Sequence, residues 1–211
     1  APTFGLEGTG KTMSGVRIIS SQPVAVFQFN PYSNVDVFSN DASTLLPADG
    51  QGGEYRVVTL PHSNLGGGAV FPGYVVVVGA GEGSSKVIVT TTAATIAGGG
   101  VPALSPGQPY ETTLNPGEVL SLESSSGDLS GTRVQVDGLA MVYAGHVAAR
   151  PTTTCCSDHL EQQMPPTSAW GTEYVVARFW ERGKEPDYIK VVAREEGTSV
   201  TITANGVPSV Q

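Results

Sequence analysis

Ser14-Gly15-Val16-Arg17-Ile18 recurs 116 residues later as Ser130-Gly131-Thr132-Arg133-Val134. Three further blocks recur in the same order: residues 41–47 as 158–165, 52–58 as 171–176, and 72–77 with 83–85 as 186–191 with 197–199. The intervals drift only between 114 and 119 residues. Ordered blocks at nearly constant spacing are typical of a tandemly duplicated structural unit. We therefore predict two related units, at residues 1–128 and 129–211.

The recurring blocks have the apolar patterns of β-strands. Val16-Arg17-Ile18 and Val134-Gln135-Val136 alternate with period two, which is typical of a strand with one buried face. The unbroken run Tyr74-Val75-Val76-Val77-Val78 favours a strand that is covered on both faces. Glycine (27) and proline (15) are abundant and charged residues make up only 14%, as in short strands joined by many turns. We predict an all-β protein of two β-sandwich-like units, with at most one short helix in each.

Local signals add detail to the two units. Asp158 precedes Glu161 at the spacing of a capping box, which predicts the start of the short helix. The glycine-centred turn at residues 79–83 predicts a hairpin from the 74–78 strand into residues 86–92. Residues 93–109 are rich in Gly, Ala and Pro without periodicity, which indicates an exposed loop of the first unit.

The second unit contains no counterpart of the strand at residues 114–119 of the first unit. We therefore expect it to be incomplete at its C-terminal end. Either a continuation of the native chain or another copy of the protein would supply the strand. An incomplete sheet has an edge of unpaired amides, which is a template for strand addition.

The charge and hydropathy patterns exclude several partners. The formal net charge is −8, so nothing would neutralise the phosphates of a nucleic acid. The same charge disfavours a polybasic membrane contact. No apolar run approaches the roughly 20 residues that a membrane-spanning helix needs.

Gly5-Leu6-Glu7-Gly8-Thr9-Gly10-Lys11-Thr12 matches the pattern of a phosphate-binding loop. Such a loop follows a buried strand and begins a helix, whose N-terminus holds the phosphates. Only four residues precede Gly5, and the sequence after Thr12 is β-branched and interrupted by glycine. We therefore interpret the match as a hairpin loop without nucleotide.

Cys155 and Cys156 are the only cysteines, and they are adjacent. Adjacent cysteines cannot form a conventional bridge, because its favoured geometry places the Cα atoms about 5.5 Å apart. A strained vicinal disulfide, pairing with cysteines of another chain, and buried thiols all remain open. A zinc site is disfavoured, since no second group of Cys and His residues exists.

Few residues have the chemistry of a metal or catalytic site. Asp36 and Asp41 lie in an oxygen-rich stretch that is a weak calcium candidate, although it lacks the spacing of a calcium loop. His159 is flanked by acidic residues but fits a capped helix start. No Gly-x-Ser-x-Gly elbow accompanies His62 or His146. We predict no catalytic residues and no cofactor.

Aromatic and charged side chains supply the remaining candidates. Trp170, Phe179 and Trp180 occur only in the second unit; they would form a binding patch if exposed, although we favour a core role. The recurring tyrosines of the Glu-Tyr pairs are expected to anchor strand corners. Two ion pairs are also expected, Arg17 with Glu54 and Arg133 with Glu173.

Several longer segments carry a resemblance to a known family. They are Ser39-Asn40-Asp41-Ala42-Ser43-Thr44-Leu45-Leu46-Pro47, Leu120-Ser121-Leu122-Glu123-Ser124, Asp128-Leu129-Ser130-Gly131-Thr132-Arg133-Val134 and Cys156-Ser157-Asp158-His159-Leu160-Glu161-Gln162-Gln163-Met164-Pro165-Pro166. From about residue 14 to residue 206 the chain resembles the IgG Fc-binding protein N-terminal domain family. The resemblance implies an extracellular β-rich module, as in animal mucus-associated and bacterial surface proteins, and implies no catalytic residues. The family's usual disulfide partner is not identified beside Cys155 and Cys156.

We therefore predict a non-enzymatic interaction module, secreted or on the cell surface, that adheres to a protein or glycan. One alternative is a structural subunit of an extracellular filament or surface layer, assembled by strand sharing between copies. A third alternative is a secreted hydrolase that uses His159 or His62.

Overall fold

The computed structural model describes residues 6–31, 39–64, 69–150, 157–177, 180, 188–204 and 207–210. The chain forms two compact units, Ala1–Trp170 and Gly171–Gln211. The regular secondary structure of the described residues is almost entirely antiparallel strand, which confirms the predicted all-β class. Among them, no helix is long and apolar enough to cross a membrane.

The strands are β1 (Gly10–Met13), β2 (Val26–Asn30), β3 (Asp41–Leu45), β4 (Gly53–Arg56), β5 (Ser63–Asn64), β6 (Val70–Phe71), β7 (Gly73–Gly79), β8 (Ser85–Thr90), β9 (Pro109–Leu114), β10 (Glu118–Glu123), β11 (Arg133–Asp137), β12 (Ala140–Ala149), β13 (Asp158–Gln163), β14 (Thr201–Ala204) and β15 (Val207–Val210). The helical part of the described chain is one 3-10 turn, Thr167–Ala169.

The first unit contains two principal sheets that share one core. The five-stranded sheet has the order β1-β10-β7-β12-β13, and the four-stranded sheet has the order β4-β11-β8-β9. One side of each sheet contributes to a single buried cluster, in which Tyr55, Val75, Val77, Val134 and Val142 have no exposed surface. Smaller two-stranded sheets, β2-β3 and β5-β6, accompany them.

The 74–78 run forms β7, the central strand of the five-stranded sheet. Its inward side chains are fully buried and its outward side chains are half-buried. The predicted hairpin into residues 86–92 is wrong, because β8 lies in the other sheet. Both edges of β7 are occupied by β10 and β12, so the chain crosses to the second sheet after the glycine turn.

The predicted helix start at Asp158 is also wrong, because residues 158–163 form the edge strand β13. Burial there has period two: Leu160 is 37% exposed, whereas Glu161 and Gln163 are 8% and 1% exposed. Acidic residues at a three-residue spacing fit both a capping box and a strand. Residues 158–163 form a strand rather than a helix because they pair with β12. Residues 10–12 of the phosphate-loop motif lie in β1, an edge strand that pairs with the distant β10, so the interpretation of the motif as a hairpin loop is wrong.

Strands from both sides of residue 128 build the same two sheets. β11 pairs with β4 and β8, and β12 pairs with β7. The ion pairs of the two arginines reflect this shared arrangement of strands. Arg133 donates to Glu54, and Arg17 Nη2 lies 3.7 Å from Glu82 Oε1. The expected Arg17–Glu54 and Arg133–Glu173 pairs are therefore wrong. The duplication itself stays a prediction, and the compact units divide between Trp170 and Gly171.

The second unit contains the hairpin formed by β14 and β15. Before this hairpin, several large apolar side chains are exposed to solvent: Tyr174 (71%), Val175 (95%), Val176 (60%), Trp180 (90%), Tyr188 (64%), Ile189 (57%) and Val191 (54%). A fold that closes its own core buries such side chains.

Candidate ligand-binding cleft

A cleft of about 670 Å³ lies on the outer face of the five-stranded sheet. Its floor is formed by outward side chains of β10, β7, β12 and β13. Its opposite wall is formed by parts of residues 14–18 and 26–30. Ligand sites in proteins are commonly concave, mostly apolar, and equipped with a few polar groups.

Strand register orders the floor into rows. Glu123, Tyr74, Gly145 and Glu161 form one row across β10, β7, β12 and β13. Two further rows lie beside it: Ser121–Val76–Tyr143 and Val119–Val78–Met141. The floor therefore changes from acidic and aromatic at one end to apolar at the other.

Tyr74 extends across Gly145 towards β13. A Cβ atom added at Gly145 would lie 2.5 Å from the Tyr74 hydroxyl oxygen and would collide with the Leu160 carbonyl oxygen. The Tyr74 hydroxyl donates to that carbonyl at 2.9 Å. Its ring stacks on His159 with centroids 6.0 Å apart. The glycine thus makes room for the aromatic side chain at the acidic end of the cleft.

Glu161 is the most deeply buried carboxylate of the cleft, with 8% of its surface exposed. Gln28 Nε2 donates to its Oε2 at 3.4 Å, while Oε1 has no hydrogen-bond partner. Burial, together with the carboxylate of Asp41, raises the pKa of Glu161 from 4.5 to about 7, against the effect of the Asn30 and Gln28 amides. Burial and the charge of Glu161 also raise the pKa of Tyr74 and Tyr143. No cationic side chain among the described residues contributes to this shift of the Glu161 pKa.

The wall and rim of the cleft expose apolar side chains. Val16, Ile18, Phe27 and Phe29 are 62%, 60%, 60% and 51% exposed. All four line the cleft. Contiguous exposed apolar side chains next to a concave surface mark interaction sites in soluble proteins.

Comparison with known sequences identifies the family. The sequence model described as "IgGFc binding protein" matches residues 41–211. The chain belongs to the IgGFc-binding protein family. A human relative, the "IgGFc-binding protein", is 35% identical over 167 residues, which cover 79% of this chain and 3% of the relative. No solved structure matches the chain.

The family name describes binding proteins. The predicted enzymatic alternative depends on His62 or His159, and both side chains contact neighbouring polar groups of the fold. His62 Nδ1 lies 3.4 Å from Ser124 Oγ, but Ser124 is fully buried and its Oγ accepts from the Gly73 amide at 3.1 Å. His146 is also fully buried and contacts the Pro61 carbonyl oxygen at 3.1 Å. His159 contacts Asn30 Nδ2 at 3.3 Å. The arrangement around Ser124 presents no exposed nucleophile.

The predicted site residues of this IgGFc-binding family member divide into those that the structure describes and those outside the described residues. Cys155, Cys156, Asp36 and Phe179 belong to the latter group. Asp41, the other calcium candidate, accepts backbone amide hydrogen bonds from Ala42 at 2.8 Å and from Glu161 at 2.7 Å. In the described ranges no three His, Cys, Asp or Glu residues are grouped so that they could hold a metal ion.

The two candidate tryptophans have different surroundings. Trp170 is half-buried and its Nε1 donates to the Pro165 carbonyl oxygen at 3.3 Å. Trp180 is 90% exposed, which does not fit the core role that we favoured for it. Sequence reasoning missed the cleft residues Glu161 and Tyr74 as a site, having assigned Glu161 to a helix cap and Tyr74 to a strand covered on both faces. Only the pairing of β7, β12 and β13 brings them together.

Proposed function

We propose that this IgGFc-binding family member is a non-enzymatic, extracellular protein-binding module, and that the cleft is its binding surface. The exposed Phe27 and Phe29 next to the apolar floor carry the proposal, since such a surface gains free energy when a partner covers it. The name of the human relative supports a protein as the partner. The immunoglobulin Fc region is accordingly the first partner to test.

Surface plasmon resonance with immobilised Fc, and with F(ab′)2 as the reference, tests the proposal. We expect saturable binding to Fc that Phe27→Asp weakens by about tenfold or more, because a charge would be buried in the interface. Ile96→Asp is the matched control: Ile96 is 41% exposed and does not line the cleft. Equal weakening by both variants contradicts the cleft as the binding surface, and absence of Fc binding rejects Fc as the partner. A glycan array run in parallel would reveal a carbohydrate partner instead.

A second candidate function is assembly by strand sharing between copies, and a comparison of the repeated blocks favours it. The Gly52 amide donates to Tyr55 Oη at 2.6 Å, and the Gly171 amide donates to Tyr174 Oη at 2.8 Å. The same local corner therefore occurs in both blocks. Tyr55 is nevertheless fully buried, whereas Tyr174 is 71% exposed.

Other counterparts differ in the same way. Val57, Val75 and Val77 are fully buried, while their counterparts Val176, Ile189 and Val191 are 60%, 57% and 54% exposed. The second unit therefore displays half of a sandwich core. In the first unit, β11 and β12 contribute to the core that Tyr55, Val75 and Val77 share. Counterparts of β11 and β12 would therefore complete the core of the second unit.

Such counterparts occur near the start of the chain. Ile18 and Val24 correspond to the buried Val134 and Ala140, and they are 60% and 61% exposed. We propose that residues 14–31 and 39–45 of one copy close the apolar face formed by residues 171–177 and 188–192 of the next. The register of the first unit, in which Val134 lies opposite Tyr55, predicts Ile18 opposite Tyr174.

Analytical ultracentrifugation tests this assembly. A head-to-tail interface gives open or ring-shaped oligomers, so we expect the unmodified protein to exceed the monomer mass. Ile18→Asp and Val191→Asp should each give monomers, and their equimolar mixture should give a dimer, because each variant retains the face that the other lacks. A monomeric unmodified protein at all concentrations contradicts strand sharing and leaves Fc binding unaffected.

A further inference from the structure

We propose that the acidic end of the cleft binds the side chain of a lysine or arginine in a partner peptide, whose apolar neighbours cover Val76 and Val78. The inference rests on the proposed protein-binding function and names the chemistry of the partner. It concerns the row formed by Glu123, Tyr74 and Glu161 on the outer face of the sheet.

The first observation is an unsatisfied carboxylate. Glu161 is more than nine-tenths buried, lines the cleft, and leaves Oε1 without a hydrogen-bond partner. A buried polar atom without a partner costs about 1–3 kcal/mol, and more when the group is charged. An ammonium or guanidinium group donating to Oε1 would remove this cost and form a charge-assisted hydrogen bond.

The second observation is the sign of the charges that line the cleft. Glu123 and Glu161 line it, and no Lys or Arg does so among the described residues. Lys11 and Arg17 pair with other carboxylates, since Lys11 Nζ lies 3.0 Å from Glu118 Oε1 and Arg17 Nη2 lies 3.7 Å from Glu82 Oε1. Burial raises the pKa of Glu123, as it does for Glu161. Desolvation is the largest cause of both shifts, and no cation among the described residues contributes to either.

The third observation concerns the surroundings of the two carboxylates. Tyr74 lies between Glu123 and Glu161 in the row, and Tyr143 lies in the next row. Tyrosine rings attract a cation that approaches their faces. Beyond them the floor becomes apolar at Val76, Val78 and Val119. This order of acidic, aromatic and apolar surface matches a long aliphatic stem that ends in a cation.

The same order selects a peptide rather than a bare metal ion as the occupant. The described residues do not group three metal-ligating side chains, and an apolar floor offers nothing to a hydrated ion. Lysine and arginine instead cover apolar surface with their methylene groups and present the charge at the tip. Apolar residues on either side of the cation would contact the exposed Phe27 and Phe29 of the rim.

Isothermal titration calorimetry at pH 8 with two synthetic peptides tests the inference. One peptide is acetyl-Val-Leu-Lys-Leu-Val-amide, and the other has norleucine in place of lysine, which keeps the stem and removes the charge. We expect the lysine peptide to bind at least about tenfold more tightly than the norleucine peptide. Glu161→Gln should abolish this preference, because it weakens binding of the lysine peptide.

Glu111→Gln is the control for a general change in net charge, because Glu111 is 59% exposed at its side chain and does not line the cleft. It should keep the full preference for lysine. Equal affinities of the two peptides for the unmodified protein, or binding of neither, overturns the inference whether or not Glu161→Gln folds. Fc binding that persists in that case would leave the proposed function standing, whereas lysine selectivity without Fc binding would reject only Fc as the partner.

Discussion

The guanidinium group of Arg133 on β11 donates to Glu54 on β4, with Nε 2.7 Å from Oε2 and Nη2 on the same oxygen. Glu54 also lies 3.5 Å from Arg56 Nη2. The pair joins strands that are 79 positions apart in sequence and lie side by side in the four-stranded sheet. It therefore connects the two predicted repeats within one sandwich.

Arg133→Met should lower the free energy of unfolding by about 1–2 kcal/mol, because Glu54 is largely buried and would lose its main donor. Lys86→Met is the matched control: Lys86 and Glu111 are both about half exposed, at 2.9 Å, and such surface pairs contribute about 0–1 kcal/mol. Urea denaturation followed by circular dichroism measures both. Equal effects of the two substitutions would show that the Arg133 pair behaves as an ordinary surface contact.

Local patterns in the sequence located strands but not their partners. The alternation at Val134-Gln135-Val136 predicts a strand with one buried face, and β11 has that face. Pairing across the sheet depends on long-range packing, so the neighbours of β7 and the Arg133–Glu54 contact could not be predicted from nearby residues. The acid at residue 161 fits two local structures, and only its place beside β12 selects the strand. The cleft was missed for the same reason, since its rows combine residues from four strands.

Gly145→Ala should destabilise the sandwich by about 2–4 kcal/mol, because its Cβ atom would collide with the Leu160 carbonyl oxygen and the Tyr74 side chain. Relief would require β13 to move or Tyr74 to leave its place at the acidic end. Gly83→Ala is the control, since nothing lies within 4 Å of its added Cβ atom and its φ is not in the left-handed region. Thermal denaturation of both variants checks the difference. A Gly145→Ala protein as stable as the Gly83→Ala protein would mean that this close approach does not exist.

Tyr55→Phe should cost about 1–2 kcal/mol of unfolding free energy. The hydroxyl of Tyr55 donates to the Ala140 carbonyl oxygen at 3.0 Å in the core and accepts from the Gly52 amide. Tyr174→Phe removes the corresponding contact with Gly171 on an exposed side chain and should cost less than about 0.5 kcal/mol in the monomer. Urea denaturation at low protein concentration compares the two. A larger cost for Tyr174→Phe at concentrations where the protein assembles would support strand sharing.

Stability should fall between about pH 4.5 and pH 7 because of Glu161. Its pKa is raised from 4.5 to about 7 on folding, so the folded state binds the proton more tightly than the unfolded state. The contribution of Glu161 is therefore fully present below pH 4.5 and is lost as the pH rises through 7. Glu161→Gln keeps a neutral side chain at every pH. The free energy of unfolding of this variant, minus that of the unmodified protein, should therefore be about 1–3 kcal/mol larger at pH 8 than at pH 4.5.

Other groups act in overlapping ranges, so the difference between the two proteins is the quantity to measure. Burial lowers the pKa of His146, and its contribution therefore changes in the opposite direction, being lost as the pH falls. Asp41, Tyr74, Tyr143 and His159 lie around Glu161 and are the same in both proteins. Urea denaturation at closely spaced pH values isolates the Glu161 contribution. A stability difference that stays constant from pH 4.5 to pH 8 would mean that Glu161 ionises in the folded protein as readily as in the unfolded chain.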